Sequence, residues 1–120
     1  MRYIAGLIFV LCITSCAYNS EEDLYPENNG VCDTADVSFA NDVSPILDDH
    51  CITCHNSSSP PLGISLDSYA EVKEVAETSR LLGAIKHQSG YTPMPQNAPK
   101  LEKCTIATIE AWINDGMPDN

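Results

Sequence analysis

Cys51-Ile52-Thr53-Cys54-His55 places two thiols three positions apart with an imidazole directly behind them. This pentapeptide is a known signature of covalent haem attachment. The thiols add to the two vinyl groups of the porphyrin, and the adjacent histidine is held on one face of the ring as an axial iron ligand. Two other chemistries use parts of the same pattern. Cys51, Cys54, His55 and His87 could bind zinc tetrahedrally. A CxxC pair also serves thiol redox chemistry, but in a βαβ context, and no strand pattern is visible here.

The chain has 120 residues, enough for one domain. Met1-Arg2 is a short positive start, and residues 3–13 are almost continuously apolar. Eleven residues are too few to span a bilayer, which needs about 20, and they fit the hydrophobic region of a secretory signal. Ile13-Thr14-Ser15-Cys16 resembles a bacterial lipobox, in which the cysteine is acylated and becomes the first mature residue. An ordinary signal peptide with a cysteine at this point is the alternative. The expected division is a signal peptide at 1–15, a lipidated acidic tether at 16–31 and a folded domain at 32–120. The location expected is the bacterial cell envelope, with a membrane anchor at Cys16. Ala17 lacks the aspartate that resembles an inner-membrane retention signal, so the outer membrane is favoured, facing the periplasm or the surface. Glu21-Glu22-Asp23 resembles acidic surface-export signals, although three acids in a solvated tether is the blander and preferred reading.

The formal charge is −11, and removal of Arg2 with the signal leaves five basic against seventeen acidic residues, or −12. Such a surface repels nucleic acid phosphates and anionic lipid. It favours a protein partner with a basic docking patch, because opposite potentials speed encounter. The cysteines divide without remainder. Cys12 leaves with the signal, Cys16 carries lipid, and Cys51 and Cys54 go to haem. Cys32 and Cys104 are left to pair in an oxidising compartment, with two free thiols as the alternative. The bridge would close a loop of about 72 residues, for which chain entropy gives on the order of 4 kcal/mol.

The domain is expected to be all-α, with about four helices and long ligand-bearing loops. Ser38 can cap a helix over residues 39–49, with Phe39, Val43, Ile46 and Leu47 on one stripe. Pro45 equally allows a helix starting near Asp42 or Ser44 with proline in its first turn. Ser68-Tyr69-Ala70-Glu71 is a capping-box pattern opening a second helix with Val72, Val75 and Ala76 inward. A third helix is expected over residues 79–88, with Leu81, Leu82 and Ile85 inward. Gly83 in its middle suggests close approach of another backbone or of haem, or a tolerated accident. Gly90, Pro93, Pro95 and Pro99 exclude helix and strand from the next stretch. The last helix, residues 105–115, carries the stripe Ile106, Ile109, Trp112 and Ile113 and stops at Gly116.

His55 takes one face of the iron, and four side chains are candidates for the other. His50 adjoins Cys51 and cannot reach across the ring. Met117 lies beyond the last helix, in an expected frayed tail. His87 competes, but bonding to backbone, to a propionate or to water is its more natural use. Met94 sits in Tyr91-Thr92-Pro93-Met94-Pro95, 39 residues after His55. Flanking prolines lower the entropic cost of holding a weak thioether near iron, although a methionine can also simply pack a haem edge.

Phe39-x-x-Asp42-Val43-x-Pro45-Ile46-Leu47, CxxCH, Gly83-Ala84-Ile85-x-His87, Met94-Pro95, Lys100-Leu101-x-x-Cys104 and Ile109-x-x-Trp112-Ile113-x-x-Gly116 together resemble one family. This is the short monohaem class I cytochrome c domain of bacterial envelope lipoproteins, similar to the planctomycete-type cytochrome c domain. The resemblance covers residues 32–120. It implies a class I cytochrome c fold with crossing first and last helices. It also implies one haem c on Cys51 and Cys54, iron ligated by His55 and Met94, and a Cys32–Cys104 bridge. A lysine ring around the haem edge, as in mitochondrial-type carriers, is missing. The implied function is one-electron transfer to a redox protein, which could be an oxidoreductase, without catalysis by the chain itself. A haem-based redox or gas sensor, or a peroxidase-like enzyme, is the alternative should Met94 not bind iron.

Overall fold

The computed structural model describes residues 31–120. The signal at 1–15, Cys16 and nearly all of the tether lie outside the described residues. Within them the chain is helical and contains no strand. No described helix is long and apolar enough to cross a membrane.

Both readings of the first helix are partly realised. Ser38 is extended, its hydroxyl accepts from the Asn41 amide at 3.0 Å, and its own amide donates to the Asp42 carboxylate at 2.8 Å. That cap opens a π-helical turn, Phe39–Val43, in which the Val43 amide reaches back five residues to Ser38. The α-helix proper, α1 (Ser44–His50), then starts with Pro45 in its first turn. An amide is not needed there, so proline costs no hydrogen bond.

α2 (Tyr69–Glu77) begins with the expected capping box: Ser68 accepts from the Glu71 amide, and the Glu71 carboxylate accepts from the Ser68 amide. Thr78 and Ser79 turn the chain into α3 (Arg80–Ile85), which buries Leu81 and Ile85. α3 is shorter than the expected 79–88, because His87 adopts a left-handed conformation (φ 53°) and ends it. α4 (Lys103–Asn114) starts two residues before the expected position and buries Ile106, Ile109 and Trp112. Gly116, at φ 90°, closes it as the stripe implies: its amide bonds to Ile113, and that of Met117 bonds to Trp112. The end of the chain is not frayed. Phe39 and Ala40 amides donate to Asn120, Tyr69 donates to the Met117 carbonyl at 2.8 Å, and Trp112 Nε1 donates to that of Pro118 at 2.9 Å.

The core runs through Val43 and Leu47 of the first helical stretch, Val72 and Ala76 of α2, Leu81 and Ile85 of α3, and the α4 stripe. Phe39, Tyr69 and Trp112 pack together, with ring centroids 5.2–6.4 Å apart. Cys32 and Cys104 lie at disulfide distance, their Cα atoms 5.1 Å apart across a sequence separation of 72. Ser68→Ala removes a side-chain cap and is expected to lower the unfolding free energy by about 1 kcal/mol. Denaturant titration checks this.

Candidate functional site

The pentapeptide continues the end of α1. Cys51 and Ile52 amides both donate to the Leu47 carbonyl, at 2.8 and 3.0 Å. The Cys54 and His55 amides return to the Cys51 carbonyl, at 3.1 and 2.9 Å. These turns are consecutive, so both thiols and the imidazole project from one short coil. Among the described cysteines, Cys51 and Cys54 are the free ones. Burial pushes the Cys51 thiol up to about 11, so it stays protonated at neutral pH. A redox CxxC needs the reverse shift, because the thiolate is the attacking form.

His55 is oriented by the loop that follows it. Its Nδ1 lies 2.9 Å from the Ile64 carbonyl, and its own carbonyl accepts from the Leu66 amide at 2.8 Å. A carbonyl only accepts, so Nδ1 carries the proton and the neutral ring has its lone pair on Nε2. This is the tautomer a metal-ligating histidine uses, with its other nitrogen held by a backbone carbonyl. The loop is closed again by Asp67, which accepts from the Ser57 amide at 2.6 Å. Ser57, by its side chain and then its amide, lowers the Asp67 pKa.

The donors that haem c would use are all among the described residues. Two free thiols stand at the required spacing, the histidine has a free lone pair on the nitrogen that would face iron, and Met94 is a half-buried thioether. His87 Nε2 is used elsewhere: it donates to the Met94 carbonyl at 3.1 Å. Backbone bonding, one of the uses foreseen for it, is what it does. Among the described residues no three His, Cys, Asp or Glu side chains are grouped to hold a metal ion, so the zinc set is not assembled.

Gly83 has a different neighbour from those the sequence suggested. A Cβ there would lie 2.6 Å from the Tyr91 ring, so a side chain from the following loop, rather than backbone, requires the glycine. Sequence reasoning gave Tyr91 no role, and a glycine in mid-helix was the only signal available. Elsewhere, Lys86, Lys100 and Lys103 line a groove of about 520 Å³ floored by Leu101, Ile106 and Ala107. Lys86 is paired with Glu110 across it. The groove includes none of Cys51, Cys54, His55 or Met94.

Comparison with models of known protein families, with curated proteins and with solved structures returns no match. The functional reading therefore rests on the residues themselves.

Gly83→Ala gains about 1 kcal/mol of helix propensity, but overpacking against Tyr91 costs about 1–3 kcal/mol. The variant should be the less stable protein in thermal melts, and adding Tyr91→Ala should relieve the overpacking. Asp67 has a lowered pKa, so its bond to Ser57 is fully present above the ordinary carboxylate value of about 3.9. It is lost as pH falls through the lower folded value. The Ser57 amide resonance should titrate below about pH 3.9, and Asp67→Asn should abolish that titration.

Proposed function

We propose that this chain is a monohaem c-type cytochrome of the class I type, a membrane-tethered carrier of single electrons in the bacterial cell envelope. The observation that carries this is the coil from Cys51 to His55, with two free thiols and an imidazole whose Nδ1 is held by Ile64. Haem c, when bound, supplies an iron centre that takes up and releases one electron. Cys51 and Cys54 would hold it covalently. His55 would ligate iron through Nε2, its ring kept from rotating by the Ile64 carbonyl. Met94 would supply a second protein ligand to iron, which disfavours reaction with oxygen or peroxide. A thioether ligand also favours the reduced state relative to a second histidine.

A lipid on Cys16 would restrict diffusion and favour a fixed local partner. The partner implied by the −11 chain is a redox protein with a basic docking patch, an oxidoreductase subunit among the possibilities.

The test is an oxidised and reduced visible spectrum of protein matured by a c-type cytochrome system, together with its intact mass. One covalent haem, sharp reduced bands and the weak methionine-to-ferric charge-transfer band are expected. Met94→Ala should abolish that band and lower the reduction potential, whereas paired Cys51→Ala and Cys54→Ala changes should yield protein without covalent haem. Covalent haem without the band in the wild type would support a sensor or peroxidase-like enzyme instead. Absence of haem would overturn the reading altogether.

A further inference from the structure

We infer that His87 is the positioning residue that presents Met94, resting on the ligation proposed above. α3 ends in a Schellman motif: the Gln88 amide donates to the Gly83 carbonyl at 2.9 Å, and the His87 amide donates to that of Ala84 at 3.1 Å. The residue that must turn left-handed in this motif is His87, at φ 53°. Glycine is the usual occupant, since it takes positive φ without a steric penalty. A histidine here accepts backbone strain that a glycine would avoid.

The ring accounts for that choice. Its Nε2 donates to the Met94 carbonyl at 3.1 Å, while the Met94 amide donates to the Ala84 carbonyl, also at 3.1 Å. Ala84 thus accepts from both His87 and Met94. Met94 is held at its amide by the last turn of α3 and at its carbonyl by the residue that ends that helix. Tyr91, lying against Gly83, fixes the middle of the same excursion. The chain from 88 to 94 is thereby closed onto a rigid helix end, and the Met94 side chain leaves a backbone fixed on both sides. A weak thioether ligand depends on such preorganisation, because each freed rotor raises the entropy lost on ligation.

The experiment uses His87→Gly in the matured holoprotein. Glycine suits the left-handed position, so the thermal midpoint should change little. The clamp is nevertheless removed. The methionine-to-ferric charge-transfer band should weaken, and added imidazole should bind ferric iron about three- to tenfold more tightly, the worth of one lost hydrogen bond. His87→Gln, which retains an N–H donor of similar reach, should stay nearer the wild type than His87→Ala, which shares its backbone strain. An unchanged band and imidazole affinity in His87→Gly overturns the inference. Should that variant not fold, equal imidazole affinities in the Ala and Gln variants overturn it. A wild-type protein lacking the band fails at the earlier step, removing the ligation reading and this inference with it.

Discussion

Burial of Trp112 is the contact on which the rest of the domain depends. Its side chain is fully buried, its ring meets Phe39 from the first helical stretch and Tyr69 from α2, and its Nε1 is satisfied by the Pro118 carbonyl. An indole buried without a partner for its N–H would forfeit much of the gain from burial. The last residues of the chain are therefore part of the core arrangement. By covering the indole they hold α4 against Phe39, and Asn120 at the same time receives the Phe39 and Ala40 amides. The coil bearing Cys51, Cys54 and His55 hangs from the other end of this first helical stretch, so its position follows from a contact far away in sequence.

What was legible in the sequence was local or arithmetical. The Ser68–Glu71 box, the α4 stripe and the Gly116 stop are encoded within a few residues, and each formed as its pattern requires. The Cys32–Cys104 pair could be named by elimination once expected uses were assigned to the other cysteines. The missed features depend on distant or atypical partners. The ordered tail needs Tyr69 and the start of the fold, 48 to 82 residues away. The early stop of α3 uses histidine where glycine is the usual sign, so nothing marked the end although the apolar stripe itself stops at Ile85. The role of Gly83 was half-visible: the need for space could be read, but the Tyr91 ring that fills it could not.

The candidate site shows the same division. The spacing of thiols and imidazole is a property of sequence, whereas the ring tautomer of His55 is a property of the loop that returns to it. Ile64 and Leu66 bind opposite ends of His55, one at the side chain and one at the carbonyl, and Asp67 closes the loop on Ser57. The intervening serines and prolines show no periodicity, and their contribution is the geometry of that return.

The Cys32–Cys104 bond also has a mechanical meaning. A chain held upstream of residue 32 would transmit tension along its backbone to Cys32. There the covalent link offers a path straight to the start of α4, whose buried face is anchored by Trp112. The 71 intervening residues, including the thiol–imidazole coil and the Met94 loop, lie in parallel with that link and carry little of the load. A domain pulled from that end would thus be strained at its edge while the region around His55 keeps its geometry.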